Sequence, residues 1–300
     1  MSNPPPDIKV AGSPWRNLPV SVYMLPILSS PPLLDHAYAP LEANSSFASA
    51  ESGEFKGGLG MIQIIRYRDT PVGPYDELLL VPGFFNVPGT GGKREKEKSL
   101  PRISRIYVSQ KDTCWNGRNN WNIPKHLARF SFTTTPDATT VKVFPPHQSS
   151  KAFFEVEISA FKYLPAVPIS TNWFKYVGIE TRLAQPPLPA SEASGDGREV
   201  TEDERTSGEA YLCGTKEWRV ATPEVSGKGA CCWVTQQNGE GPDAHGETTP
   251  LLSAGTSDQT STKVENEWWP NYAPWKIGVW IEDGRVSFVD SHEPGIGAKI

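Results

Sequence analysis

Hydrophobic and polar residues alternate with a period of two along much of this chain, which is the spacing of a half-buried strand. The longest run is Ala152 to Phe161. Phe154, Val156 and Ile158 fall on one face there, and Glu155, Glu157 and Ser159 on the other. Ser21 to Leu28, Met61 to Arg68, Ile103 to Ser109, Phe130 with Phe132, Val141 to Phe144 and Trp173 to Leu183 read as further strands. Glu77 to Pro82 holds the apolar run Leu-Leu-Leu-Val, the pattern of a strand buried on both faces. Lys276 to Asp290 predicts a hairpin with Asp283-Gly284 at its turn, because Asp-Gly between alternating segments is a strong hairpin signal. Tyr211 to Gln237, with Trp218, Cys231, Cys232 and Trp233, predicts a strand pair. Helix is expected only over Pro124 to Phe130 and over Ser170 to Phe174.

These elements predict a mostly β (α+β) fold: an antiparallel barrel or cone, closed or nearly closed so that its edges are covered, with few short helices. One domain over residues 15–290 is expected, between a Pro-rich, disordered 1–14 and a tail at 291–300. Residues 29–58 read as loop with short irregular elements, and 86–101 as an exposed hairpin loop. Two segments break the pattern. Residues 189–210 carry seven acids and two bases, and residues 238–267 carry six acids and one base. Both have the composition of disordered loops.

Composition sharpens this picture. The 29 Pro and 26 Gly among 300 residues disfavour a helical bundle and favour many strands and turns. The net charge of -5 argues against nucleic acid and against a polybasic membrane surface. That acidity sits in the two loop segments, so the rest of the chain is mildly cationic, which suits an anionic ligand. The longest apolar stretch, Leu18 to Leu28, contains Pro19 and Pro26 and is too short to span a bilayer. The N-terminus lacks the basic and apolar regions of a secretory signal, so a cytoplasmic protein with reduced thiols is the expectation.

Several motifs fall short. Pro88-Gly-Thr-Gly-Gly-Lys93 has Val87 and Arg94 where a phosphate loop needs Gly and Ser or Thr. The five His show no metal-ligand spacing, and no metal or cofactor is expected. Cys231 and Cys232 fall on opposite faces of a strand, so one of them is expected to be buried as a small hydrophobe.

The informative stretch is Gly117-Arg-Asn-Asn-Trp-Asn-Ile-Pro-Lys-His-Leu-Ala-Arg-Phe130. Pro124 suits the first turn of a helix, which would start at Lys125 between Trp121, Ile123 and Leu127. Burial disfavours an ammonium, so a lysine in such an apolar wall keeps a larger share of neutral amine. A neutral amine is a nucleophile able to form an imine with a ketone. Upstream stands Gly73-Pro-Tyr-Asp-Glu-Leu78.

Gly117-Arg118 followed by Pro124-Lys125 and Leu127 resembles the signature of the acetoacetate decarboxylase family, and Tyr75-Asp76-Glu77 is similar to that family's Tyr-x-Glu segment. The Trp-Trp-Pro at 268–270 and the Trp280-Ile-Glu-Asp segment look like the fungal branch of the superfamily. The resemblance spans roughly residues 55–290 by order of elements. His126 stands where the family has a second Lys, and Asn119 where it has Glu. The resemblance implies a cofactor-free decarboxylase acting on a β-keto acid. Lys125 would form the Schiff base and Glu77 would act as acid and base. Arg118 would orient Glu77 or the substrate carboxylate, or brace a loop. Tyr75, Trp121 and His126 would bind or orient the substrate. The expected partner is a small keto acid, with a homo-oligomer allowed. An imine-forming aldolase or dehydratase and a non-catalytic binder of small molecules are the alternatives.

Overall fold

A computed structural model describes residues 3–88, 98–147, 149–161, 165–173, 180–194, 200–236 and 266–291. In chain order the described strands and helices begin with β1 (Trp15–Ser29), α1 (Pro40–Ala43), β2 (Phe55–Tyr67), β3 (Tyr75–Val81), β4 (Phe84–Asn86), β5 (Ser99–Pro101) and β6 (Arg105–Val108). They continue with α2 (Lys111–Trp121), β7 (Lys125–Leu127), β8 (Arg129–Thr134), β9 (Ala138–Phe144), β10 (Phe154–Ala160), β11 (Val167–Ser170) and β12 (Leu183–Gln185). The last three are α3 (Glu202–Ser207), β13 (Arg219–Gln236) and β14 (Ile277–Ser291).

The main sheet runs β7-β6-β3-β2-β1-β14-β13-β10-β9-β8. Every neighbouring pair in it is antiparallel except β6 with β7. Its two outermost strands, β7 and β8, are consecutive in the chain and separated by Ala128, whose N–H donates to the Val108 carbonyl at 2.9 Å. The sheet therefore bends back on itself and is nearly closed, the mostly β architecture that the alternation predicts.

Both faces are buried. In β1, Leu18, Val20 and Val22 enter one core, whereas Tyr23, Leu25 and Ile27 enter the other. The first core also holds Leu79, Val81, Ile106 and Val108 with Trp115 and Trp121 of α2. The second holds Leu78, Leu80 and Tyr107 with Val141, Val143, Phe154 and Val156. This double burial is why β3 reads as a continuous apolar run.

Four expectations change. Asp283-Gly284 makes no hairpin: β14 is one strand, and Asp283-Gly284 falls where its register shifts against both β1 and β13. With a partner strand on each side, the extra residue is absorbed as a bulge and the chain runs on. Residues 211–237 likewise yield a single long strand, β13, in place of a pair, because β14 pairs with it from Val220 to Trp233 on one side while β12, β11 and β10 pair with it in turn on the other. The helix lies before Pro124 and not after it. Asn122 closes α2 in the left-handed conformation at φ 54, and Pro124 follows two residues later, a common helix exit. Lys125–Leu127 then runs extended beside β6, with Ile106 opposite Lys125. Finally, residues 3–14 are fastened to α2. Asn116 accepts from the Ala11 N–H and donates to the Lys9 carbonyl, both at 2.8 Å, and Lys111 pairs with Asp7.

Residues 171–173 form a 3-10 turn, and most of the strand expected over 173–183 lies outside the described residues. So do the Gly-Thr-Gly-Gly loop at 89–92, nearly all of the acidic segment 238–267, and residues 292–300. Within 189–210 the described residues include α3, whose Thr201 and Glu204 form a reciprocal capping box. Cys232 is buried and Cys231 half-buried, as their opposite facing predicts.

Gly227 of β13 allows the close approach at the bulge. A Cβ there would stand 2.6 Å from Ile281 Cγ2 and 2.9 Å from Gly284 Cα, whereas one at Gly12 meets nothing within 4 Å. Gly227→Val should lower unfolding free energy by about 1–3 kcal/mol through overpacking, with Gly12→Val as the neutral control, both measured by chemical denaturation.

Candidate active site

Glu77 and Lys125 come from the two strands that flank β6. Val108 is the β6 partner of Glu77, and Ile106 is that of Lys125. Residues two apart in a strand share a face, so both side chains project on the side of Ile106 and Val108. There the Lys125 Nζ contacts the Glu77 carboxylate directly, with both side chains at most 4% exposed. Nζ also donates to Thr113 Oγ1 at 2.9 Å and stands 5.0 Å from the centroid of the Tyr75 ring.

Helix α2 is what admits Lys125. Thr113 and Gly117 are four residues apart and lie on one face of it. A Cβ at Gly117 would stand 2.5 Å from Lys125 Cδ and 2.6 Å from Cε. The glycine of the Gly-Arg pair thus has a steric reason: the lysine stem passes over the helix at that position.

Tyr67 completes the polar group, donating its hydroxyl to Glu77 Oε2 at 3.2 Å and stacking on Tyr75 at 4.3 Å. Burial, reinforced by the Glu77 charge, pushes both phenols well above their ordinary range, so both stay protonated donors. Burial likewise pushes the Cys114 thiol up to about 12, which removes it as a nucleophile. Among the described residues no cluster of three or more His, Cys, Asp and Glu side chains is placed to hold a metal.

His126 points to the opposite face. Its Nε2 meets Glu42 Oε2 at 2.7 Å, and Arg118 Nη1 donates to Glu42 Oε1 at 2.8 Å. Arg118 is fully buried and also donates to the carbonyls of Lys125 (3.3 Å), Pro189 (2.8 Å) and Cys213 (3.0 Å). The structure therefore brings Lys125, Glu77 and Tyr75 together. It sets Arg118 and His126 on Glu42, and Trp121 between Trp15 and Phe288 at ring distances of 5.2 and 5.4 Å. Burial pushes the Glu42 carboxyl up, but the charges and hydrogen bonds of His126 and Arg118 outweigh it and hold the group down at about 2. Sequence reasoning missed Glu42, Thr113 and Tyr67. Thr113 carries a signal, since it stands four residues before Gly117. Glu42 lies in a segment with no periodic pattern and carries none.

Two clefts stand out on the surface of the described residues. One, of about 430 Å³, is formed within residues 33–48. The other, of about 510 Å³, runs past Arg66, Tyr67 and Tyr75 to Ser109. Lys125 and Glu77 line neither.

No protein-family model matches the chain. A stretch of 122 residues, 41% of the chain, is 29% identical to Protein NEOXANTHIN-DEFICIENT 1 of Oryza sativa subsp. japonica and covers 35% of that protein. The chain thus spans about a third of the length of the curated relative it matches. Among solved structures it is similar to the acetoacetate decarboxylase of Legionella pneumophila, at 12% identity and a TM-score of 0.48 over 97% of this chain and 91% of that one. A second acetoacetate decarboxylase structure is similar at 10% identity and a TM-score of 0.48, over 93% of this chain and 88% of that one. No described helix is long and apolar enough to cross a membrane.

Two outcomes follow from this geometry. Gly117→Ala should force the Lys125 stem aside and destabilise the protein by about 1–3 kcal/mol in denaturant titrations. Glu42→Gln leaves Arg118 buried beside a neutral partner and should cost about 3–5 kcal/mol at neutral pH. The Glu42 carboxyl is depressed from 4.5 to about 2 in the folded protein, so its stabilisation is present above pH 4.5 and is lost as pH falls towards 2. Between those values the stability of Glu42→Gln should fall less steeply than that of the wild type, measured by unfolding at a series of pH values.

Proposed function

We propose that this chain is a carbon–carbon lyase that decarboxylates a β-keto acid through a Schiff base on Lys125. The observation that carries the reading is the buried contact of Lys125 Nζ with the Glu77 carboxylate over a helix whose Gly117 leaves room for the lysine. One proton transfer along that contact converts the charged pair into an amine and a carboxylic acid. The amine adds to the ketone carbon of the substrate, and loss of water gives a protonated imine. The bond to the carboxylate carbon then breaks, CO2 leaves, and the electron pair flows into the imine to form an enamine. Glu77, left as a carboxylate once its proton has departed with the water, takes a proton from solvent and delivers it to the enamine carbon, and hydrolysis of the resulting imine releases the ketone product and restores the lysine. The protonated imine is itself the electron sink, so these steps call for no cofactor. Tyr67 and Tyr75, protonated and adjacent to Glu77, hold the carboxylate in place.

Arg118 acts in this reading as a positioning residue. It grips the Lys125 carbonyl and the Glu42 carboxylate and makes no contact with Glu77 among the described residues. The substrate class extends to polyketide-derived keto acids of fungal secondary metabolism, met in the cytoplasm, and a homo-oligomeric enzyme is compatible with the site. A second reading is a binder of small molecules that keeps the pair as a structural element. It is favoured by one observation: Lys125 and Glu77 line neither cleft.

Borohydride reduction in the presence of acetoacetate or 3-oxooctanoate separates these readings. The decarboxylase predicts a stable adduct on the peptide containing Lys125 together with CO2 release, both abolished in Lys125→Met. An adduct without CO2 assigns an imine-forming aldolase or dehydratase. No adduct with either acid, read on folded protein, contradicts the Schiff base.

A further inference from the structure

A second buried cation lies apart from the Lys125 pair. Arg102 follows β5, is 1% exposed, and forms no ion pair among the described residues. Its Nη2 donates to the Ser52 carbonyl and the Tyr38 phenol is a hydrogen-bonding neighbour of the guanidinium, while Nε and Nη1 meet no acceptor in good geometry among the described residues. The other two large buried guanidinium groups are fully engaged by comparison. Arg118 has a carboxylate and three carbonyls, and Arg105 has two carbonyls and the Tyr107 hydroxyl.

Three rings wall the Arg102 guanidinium: Phe85 at 4.4 Å, Trp218 at 5.6 Å and Phe47 at 5.8 Å from ring centroid to Cζ. Such contacts stabilise a cation but supply no acceptor for its N–H groups. A buried charge with unmet donors is costly unless an anion completes it. Burial pulls this guanidinium down to about 10, with the Tyr38 phenol opposing the shift. Tyr38 meets Phe47 edge-on at 5.7 Å and also lines the cleft of about 430 Å³ within residues 33–48, so one tyrosine borders both that cleft and the arginine. Among the buried side chains with unmet polar atoms in the described residues are also Ser104, two residues beyond Arg102, and Gln185 of β12, the strand that packs on β5.

We propose that Arg102 is the anchor of a buried anion site that takes the carboxylate of a flat or apolar organic acid, entering past Tyr38. A planar carboxylate meets the planar donors of an arginine side by side, and the ring walls suit the apolar body of such an acid. The walls disfavour a strongly hydrated anion such as inorganic phosphate, which would lose its water shell against aromatic carbon. This inference stands independently of the Schiff-base reading: Arg102 neither touches Lys125 nor takes part in the proton transfers given to Glu77.

Benzoate, acetate and inorganic phosphate serve as probes, each titrated at constant ionic strength against chloride, with thermal unfolding and tryptophan fluorescence as readouts. The wild type should show a saturable rise in Tm with benzoate, a weaker one with acetate and none with phosphate, together with a saturable change in emission. Arg102→Met should lose the benzoate response while its ligand-free Tm equals or exceeds that of the wild type, since it removes an uncompensated charge. Trp218→Phe keeps the cation and should keep the Tm response while losing most of the fluorescence change, which preserves the test if Arg102→Met fails to fold. A wild type whose Tm moves no more with benzoate than with chloride overturns the proposal. So does an Arg102→Met protein that still responds to benzoate, and a phosphate response equal to that of benzoate overturns the carboxylate class. None of these readouts depends on turnover, so failure here and failure of borohydride trapping are separate results.

Discussion

Lys125 and Glu77 meet across β6, each contributed by a strand that flanks it, and most of the geometry around them exists to let two charged groups share a buried place. Either one alone would be an unpaired charge in a closed core, at a cost of about 3–5 kcal/mol. Together, with Thr113 on the amine and Tyr67 on the carboxylate, they satisfy one another. This constraint fixes local features that have no other evident reason. The β7 segment must run parallel to β6 so that Lys125 lies beside Ile106, and α2 must present glycine where the lysine stem crosses it.

The next residue turns the same logic to the opposite face. His126 points away from Lys125 and meets Glu42, which Arg118 also holds. Arg118 then reaches back to the Lys125 carbonyl and outward to the carbonyls of Pro189 and Cys213. Two glutamates thus clamp two consecutive residues of one short strand from its two sides. A three-residue strand has few ladder hydrogen bonds of its own, and side-chain anchoring of this kind keeps its register. The depressed Glu42 carboxyl shows the direction of that coupling: its two cationic neighbours outweigh a burial that would otherwise neutralise it.

The β architecture and the pair at its centre were legible because each leaves a local mark. Strands covered on at least one face alternate, as β10 does, or run continuously apolar, as β3 does. Lys125 and Glu77 stand in two short motifs whose spacing carries the family resemblance. Helix α2 left no such mark. Its buried surface includes Thr113, Asn116, Arg118 and Asn120, polar residues that residues 9–11, Glu42 and Lys125 cover, so no apolar stripe marks it. Pro124 misled for a related reason, since proline suits a helix start and a helix exit about equally and only tertiary pairing with β6 decides between them. Asp283-Gly284 has hairpin chemistry, and partner strands on both sides override it. Glu42 was invisible because its role depends on contacts with residues about 80 positions away.

A double-mutant cycle on the pair tests the central claim most directly. Lys125→Met, Glu77→Gln and the double variant are compared by equilibrium unfolding in denaturant at neutral pH. If the two groups form one buried unit, each single variant strands the other group and loses several kcal/mol. The double variant then recovers much of that loss, with a coupling energy of about 2–3 kcal/mol. Single losses that simply add in the double variant, to within about 0.5 kcal/mol, would contradict it.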